Sequence, residues 1–206
     1  MITSGTRRKD DGTWDASLFA AHNIGVNSIS WAPAITPSSL VAPSINTSAA
    51  TQQNSNGQPS ASSPYVKKFA TGGCDNLVKI WSYNTESETW TVEEVLEGHS
   101  DWVRDVAFAP GVGLPRTYLA SCGQDRQVFV WTQDAPGQGW NKRVLDPALY
   151  LSGGNVSEGR FPDTVWRVSW SVTGNVLAVA AGDGKVSLWK ENLKGGDWEC
   201  VSEVTA

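Results

Sequence analysis

The stretch that decides the fold runs from Gly98 to Trp131 and reads GHSDWVRDVAFAPGVGLPRTYLASCGQDRQVFVW. It contains a Gly-His pair, several short apolar runs and a terminal Trp. Two further copies of this order flank it, over residues 21–81 and 161–189. The copies share VNSISW, VRDVAF and VWRVSW near their starts, and VKIW, VFVW and VSLW at their ends. An internal repeat of this kind determines the architecture before any single residue is interpreted.

A Gly-His turn followed by short β-runs and a terminal Trp is typical of a WD repeat, which forms one blade of a β-propeller. The sequence therefore predicts an all-β fold: a partial, open WD-repeat β-propeller with about three blades plus the last strand of a preceding blade. The predicted parts are a polar N-terminal segment at 1–13, a propeller region at 14–206, an outer strand of the preceding blade at 14–20, and blades at 22–96, 98–145 and 161–204.

Residues 34–64 interrupt the first blade. They consist largely of Ser, Ala, Thr, Pro, Asn and Gln, with almost no charge. Such a segment cannot bury enough apolar surface to offset the entropy lost on ordering. We therefore predict a disordered insertion between two strands of this blade, and it explains why the copies are spaced more widely than the ~40–45 residues of a standard repeat.

Tryptophan recurs at matching positions of the copies, and the chain has 11 of them. A repeated aromatic residue favours packing between blades over a ligand platform. The recurring residues are Trp31, Trp81, Trp131, Trp170 and Trp189.

The composition excludes several classes of protein. The chain has 206 residues, 40% hydrophobic, with a net charge of -5, whereas a nucleic-acid-binding domain normally has a basic face. Its three cysteines form no C-x-x-C pair, which argues against zinc and redox sites and favours a reducing compartment. The N-terminus lacks the apolar core of a signal peptide, and no apolar run approaches the ~18 residues of a membrane span.

One set of residues has the composition of a nucleophilic triad: His99, Ser121 and Asp125. A structural role is favoured, because the same types recur in the first blade, and a catalytic site rarely occurs twice in one domain. In that interpretation the Asp carboxylate forms a hydrogen bond with His, and His forms one with the Ser or Thr hydroxyl. The same hydroxyl accepts a hydrogen bond from the indole N–H of Trp. The two predicted structural tetrads are His22, Thr71, Asp75 and Trp81, and His99, Ser121, Asp125 and Trp131.

The third copy lacks both hydrogen-bonding partners, the His and the Ser or Thr. Phe161 stands at the His position and Val179 at the Ser or Thr position. Removing both partners costs less than removing one, because no polar group is left unpaired. We interpret this degenerate copy as the end blade beside a gap.

No other residues suggest chemistry. The two tetrads use both histidines of the chain, so none remains as a general base or metal ligand. No Gly-rich phosphate loop is present. The sequence predicts no catalytic, cofactor-binding or metal-binding residues, no small-molecule substrate, and a protein that is not an enzyme.

Beyond the WD pattern, the chain resembles one particular family. The resemblance rests on AHNIGVNSISWAP, TGGCDNLVKIW, LEGHSDWVRDVAFAP, LASCGQDRQVFVWTQD and FPDTVWRVSWSVTGNVLAVAAGDGKVSLWKENL. These strings are similar to the C-terminal half of the Sec-thirteen family of WD-repeat propellers, over roughly residues 14–204 apart from the insertion. AHNIGVNSISWAP and DNLVKIW make the match specific, because blade geometry does not require them.

The resemblance implies a structural scaffold: a subunit of the COPII outer coat of ER-to-Golgi vesicles and of the nuclear pore complex. Its partners would be the rod-forming COPII coat subunit and a nuclear pore scaffold subunit, each donating a blade in trans by pairing with an open sheet edge. The protein would be peripheral to the membrane through the coat. Its expected locations are the cytoplasmic face of the ER membrane, COPII vesicles and the nuclear pore complex.

The family's first three blades have no counterpart in this chain. Three blades cannot close a ring. We therefore expect a fragment, a truncated gene model or the product of an alternative start, which needs its missing half or a partner.

A second possible function is that of a generic WD-repeat adaptor that binds partners through the top face of the propeller. Trp and Arg residues are frequent hot spots of interfaces, and four of them lie near the starts of first strands. These possible partner-binding residues, for which packing is the alternative role, are Trp102, Arg104, Trp166 and Arg167.

Overall fold

The structure is a computed structural model that describes residues 2–8, 12, 14–34, 66–149, 159–192 and 196–205. Residues 35–64 of the predicted insertion lie outside the described residues. Among the described residues, no helix has the length and apolar character needed to cross a membrane.

The described residues contain fourteen strands, which form a two-stranded hairpin and three four-stranded antiparallel sheets, each connected in chain order. The hairpin consists of β1 (Ile2–Arg8) and β2 (Trp14–Phe19). Blade one consists of β3 (Val26–Trp31), β4 (Lys68–Gly73), β5 (Val78–Asn84) and β6 (Thr89–Leu96). Blade two consists of β7 (Val103–Phe108), β8 (Thr117–Gly123), β9 (Val128–Gln133) and β10 (Asn141–Val144), followed by a short 3-10 helix, Pro147–Leu149. Blade three consists of β11 (Val165–Trp170), β12 (Val176–Ala181), β13 (Lys185–Glu191) and β14 (Trp198–Thr205).

The sequence repeat is also a repeat of backbone geometry. In every blade the register between the first two strands shifts at the same place, close to the start of the first strand. These shifts lie between Val26 and Ser28, Val103 and Asp105, and Val165 and Arg167. A bulge at this position bends the strand and redirects its side chains.

The blades pack face to face through alternate side chains. We call the face of a blade directed toward the preceding blade its backward face and the opposite one its forward face. Ala70, Val78 and Ile80 on the forward face of blade one pack against the backward face of blade two. Cys122 and Val130 on the forward face of blade two pack against blade three. Neighbouring blades of this chain therefore meet through side chains rather than through strand edges.

The prediction of an all-β, partial and open propeller is confirmed. Blades one and three each pack on blade two, and the described sheets do not close into a ring. The forward face of blade three is accordingly a terminal face. The backward face of blade one is covered in part by the hairpin, because the Phe19 ring lies 5.0 Å from that of Trp81.

The N-terminal segment differs from the expectation of a merely polar run. The structure places β1 at Ile2–Arg8. This strand pairs antiparallel with β2, so that Ile2 lies opposite Phe19 and Arg8 lies opposite Trp14. The sequence ITSGTRR has no apolar alternation and therefore carries no strand signal. The strand is formed by its backbone pairing with β2, which the side-chain pattern does not reveal.

Candidate functional site

The predicted tetrad of blade two forms one continuous chain of hydrogen bonds. The Trp131 indole N–H donates to Ser121 Oγ at 2.8 Å, and Ser121 Oγ lies 2.9 Å from His99 Nε2. His99 Nδ1 lies 3.0 Å from Asp125 Oδ2. Because an indole N–H can only donate, the serine hydroxyl accepts from it and has its own hydrogen available for Nε2. The neutral imidazole then carries its hydrogen on Nδ1, facing the carboxylate.

Blade one repeats this chain with threonine in place of serine. The Trp81 indole N–H donates to Thr71 Oγ1 at 3.0 Å, and His22 Nε2 lies 2.8 Å from the same oxygen. His22 Nδ1 lies 2.6 Å from Asp75 Oδ1. The structure therefore brings together all eight residues of the two predicted tetrads, each set joining a first-strand turn to two strands of its blade.

The two aspartates are stabilised in their ionised forms. Burial alone would raise the pKa of Asp75 and of Asp125. Hydrogen bonds from the adjacent histidine and from backbone N–H groups outweigh this effect, so both pKa values lie below the ordinary range. For His22, burial outweighs the attraction of Asp75 and lowers the pKa. The ionised aspartate and the neutral His22 are thus the forms that the fold favours.

The geometry of the Ser121 hydroxyl does not suit a nucleophile. Ser121 is fully buried, and its oxygen already accepts a hydrogen bond from Trp131. His99 and Asp125 are also buried. A substrate carbonyl would have to reach an oxygen that has no access to solvent. Among the residues that the structure describes, no group of His, Cys, Asp or Glu could hold a metal ion.

Blade three replaces the tetrad with apolar packing. Phe161 and Val179 are buried, and the Phe161 ring lies 5.8 Å from that of Trp189. The Trp189 indole N–H donates instead to Ser187 Oγ at 2.8 Å. Phe161 and Val179 lie in the cluster shared with blade two. Blade three is the last blade of the described sheets, but the lost tetrad lies on its backward face, toward blade two, and not on its open forward face.

Asp105 joins the innermost strands of all three blades, and the sequence interpretation missed it. Its Oδ1 accepts from the Ser28 hydroxyl of β3 at 2.7 Å, and its Oδ2 accepts from the Val168 N–H of β11 at 3.1 Å. Its own strand is β7, so one buried carboxylate links β3, β7 and β11. An acidic residue at an inward position of the strand VRDVAF was the available signal, since a buried charge needs dedicated partners.

The forward face of blade three carries a partly exposed apolar patch, which Arg167 and Ser202 border on the same face. Residues paired across an antiparallel sheet share a face, and Val186 pairs with both Ala180 and Val204. Leu188 lies on the same face, opposite Ala178. Val186 is 38% exposed and Val204 is 56% exposed, whereas Trp189 on the backward face is fully buried. This terminal face has the side chains of a packing surface.

Three of the four predicted partner-binding residues form a second surface. The Arg104 guanidinium carbon lies 5.1 Å from the Trp102 ring centre and 4.7 Å from that of Trp166. We call these three residues the Trp–Arg cluster. It lies at the end of the propeller where the first strand of each blade begins, which we call the start face.

Arg167 does not belong to this cluster. It pairs across the sheet with Ala180, on the forward face of blade three. Its guanidinium lies 3.7 Å from Asp105, and its side chain is 73% exposed. A surface ion pair of this kind contributes at most about 1 kcal/mol.

Comparison with known proteins identifies the family. A family model described as "WD domain, G-beta repeat" matches residues 90–132 and 156–190. "Protein transport protein SEC13" of Mycosarcoma maydis is 55% identical over 196 residues, which is 95% of this chain and 52% of that protein. The protein of the same name from Cryptococcus neoformans is 46% identical over 198 residues, 96% of this chain and 55% of that protein. The chain belongs to the SEC13 (Sec-thirteen) family of WD-repeat proteins.

The resemblance seen in the sequence is thereby confirmed for nearly the whole chain. It also extends to animals, since "Protein SEC13 homolog" of Bos taurus is 46% identical over 196 residues, 94% of this chain and 52% of that protein. The chain spans about half the length of the SEC13 relatives it matches.

In this SEC13-family chain, the end of β8 beside the tetrad of blade two requires glycine at position 123. A Cβ added at Gly123 would lie 2.7 Å from Asp125 Oδ1 and 2.8 Å from His99 Nδ1. We expect Gly123→Ala to lower the free energy of unfolding by about 1–3 kcal/mol, the usual cost of overpacking. The measurement is equilibrium unfolding in urea. Gly139→Ala is the control, because its Cβ would meet no atom within 4 Å, and equal effects of the two substitutions would contradict the prediction.

The tetrads also predict how stability depends on pH. Because the folded chain lowers the pKa of Asp75 and Asp125, their stabilisation is complete above the ordinary carboxyl range and is lost as pH falls below roughly 4. The lowered pKa of His22 adds a loss that begins below about pH 6.5. We expect the urea midpoint to fall from pH 7.5 to 5.5 and again below pH 4. Asp125→Asn should flatten the acid part of this profile, and a midpoint that stays constant down to pH 3.5 would contradict the account.

Proposed function

We propose that this chain acts as a non-enzymatic scaffold in protein transport, through contacts with other proteins. Relatives at 46–55% identity bear the name of a transport protein. The buried tetrads support the absence of catalysis, since their hydroxyls are fully engaged within the blades. The observation that carries the proposal is the partly exposed apolar patch on the forward face of blade three.

More specifically, we propose that the protein is a coat subunit of COPII vesicles in ER-to-Golgi transport and a scaffold subunit of the nuclear pore complex. Its partners would be the rod-forming COPII coat subunit and a nuclear pore scaffold subunit. It would lie on the cytoplasmic face of the ER membrane, on COPII vesicles and at nuclear pores, peripheral to the membrane through the coat.

The packing within the chain supports a particular mode of partner binding. Blades one and two meet face to face, and the side chains of Val186 and Val204 are presented in the same manner on the forward face of blade three. A blade donated in trans would cover this face with its own apolar side chains. Burial of apolar area is the main favourable contribution to most protein–protein associations, so a packed sheet face would favour binding.

A direct test is co-expression of residues 1–206 with the rod-forming COPII coat subunit and, separately, with a nuclear pore scaffold subunit. We expect a 1:1 complex by size-exclusion chromatography with light scattering. A partner variant that lacks its donated strands is the matched control and should elute separately. If neither partner binds, or if the strand-deleted partners bind equally well, the proposal fails.

The alternative is a generic WD-repeat adaptor that binds partners through the start face. The Trp–Arg cluster favours this second function, because its two indoles are exposed and it consists of residue types that dominate interfaces. Binding that is lost on substitution of Trp102 or Arg104, with the forward face of blade three intact, would distinguish it from blade donation.

A further inference from the structure

We propose that the Trp–Arg cluster is a docking site for an acidic peptide segment of a protein partner. Trp102 precedes β7, Arg104 lies within β7, and Trp166 lies at the start of β11. The site therefore spans blades two and three on the start face. It does not depend on the donation of a blade.

The guanidinium of Arg104 is held on one edge only. Its Nε donates to Gln124 Oε1 at 2.9 Å, and its Nη2 donates to the same oxygen. Gln124 is neutral, and none of the ion pairs formed by the described residues involves Arg104. The Nη1–Nη2 edge thus retains parallel N–H donors, which is the arrangement that binds a carboxylate with two hydrogen bonds.

Contacts with neighbouring residues hold the Nη1–Nη2 edge of Arg104 in place. The indoles of Trp102 and Trp166 both contact the guanidinium by cation–π interaction, at 5.1 and 4.7 Å. The Gln124 N–H donates to the Trp102 carbonyl oxygen at 2.9 Å, which fixes the β8–β9 turn against the start of β7. A side chain that is ordered before binding loses less entropy when a ligand binds.

The exposed parts of the two indoles determine what accompanies the carboxylate. Trp102 is 44% exposed and Trp166 is 48% exposed. Aliphatic or aromatic residues next to the acidic residue would pack on these surfaces. A nucleic acid fits poorly, because it requires several cations, whereas this chain has a net charge of -5 and the cluster offers one.

The test begins with selection from a randomised eight-residue peptide library displayed on phage, with residues 1–206 as bait. We expect enrichment of sequences that combine Asp or Glu with apolar residues. The enriched peptide is then synthesised with a fluorescein label, with its C-terminus free or amidated, and titrated by fluorescence anisotropy. The two forms distinguish a side-chain carboxylate from a terminal one.

Three variants decide the outcome. Arg104→Gln should weaken binding at least about tenfold, the effect expected for loss of charge-assisted hydrogen bonds. Trp166→Leu should weaken it as well, and it keeps the test valid if Arg104→Gln fails to fold. Arg116→Gln is the control, because Arg116 pairs with Asp134 at 3.4 Å and lies outside the cluster. Selection of peptides without acidic residues, or binding unchanged by both cluster substitutions, would overturn the proposal.

Discussion

Ser121→Ala is expected to lower the free energy of unfolding by about 2–4 kcal/mol, a large share of the 5–15 kcal/mol typical of a domain. The substitution removes one oxygen and leaves two buried groups without a partner. His99 Nε2 loses its neighbour at 2.9 Å, and the Trp131 indole N–H loses its acceptor at 2.8 Å. Each unsatisfied buried group costs about 1–3 kcal/mol. Urea unfolding monitored by tryptophan fluorescence gives the difference.

Two further variants make this result specific to the tetrad. Ser121→Thr keeps the hydroxyl, and Thr71 holds the equivalent position in blade one, so we expect most of the stability to return. Ser202→Ala removes a hydroxyl from the exposed part of β14 and should change stability by less than about 0.5 kcal/mol. A Ser121→Ala effect no larger than that of Ser202→Ala would show that the tetrad does not stabilise the blade.

Val186→Asp is expected to weaken the binding of a blade-donating partner by about 100-fold or more, while the isolated chain keeps its stability. Val186 is partly exposed in the chain alone, so the carboxylate remains hydrated there. In the complex it would be covered, and burial of an unpaired charge costs several kcal/mol, of which each 1.4 kcal/mol is a tenfold change in affinity. Surface plasmon resonance with the rod-forming COPII coat subunit measures the change.

Val92→Asp is the matched control for this experiment. Val92 is a valine of similar exposure, 43%, but it pairs with Trp81 on the backward face of blade one. It should leave partner binding within about twofold, as expected for a surface change outside the interface. If Val92→Asp weakens binding as strongly as Val186→Asp, the partner does not select the forward face of blade three.

The sequence predicted the blades well because their signals are local and repeated. The order of turn, short apolar runs and terminal Trp was enough to predict a partial β-propeller, and the types of the tetrad residues were enough to propose their contacts. His22 and Asp75 are 53 residues apart in the chain, yet the repeat placed them together. The strand at Ile2–Arg8 was missed, because its pairing depends on the backbone and its side chains carry no alternation.

Contacts between blades could not be predicted from the sequence. The role of Asp105 depends on β3 and β11, which lie on either side of it in space, and no spacing within one repeat encodes that. The exposure of Trp31 could not be predicted from the repeat either. This residue occupies the position of the buried Phe108, but it is 63% exposed, because blade two lies on the other face of blade one and Phe19 of the hairpin packs on the cluster of Phe69 and Trp81 instead. Burial depends on which blades are neighbours, and a repeat alone does not specify this.

Photocrosslinking tests whether the forward face of blade three receives the partner. Benzoylphenylalanine replaces Val204 on this face in one variant and Ile29 on the backward face of blade one in the other, since both side chains are exposed. Each variant is irradiated in complex with the rod-forming COPII coat subunit and analysed by mass spectrometry. We predict a crosslink from position 204 to the donated strands and none from position 29. Crosslinks from position 29 alone, or from neither position in a complex that has formed, would contradict binding at this face.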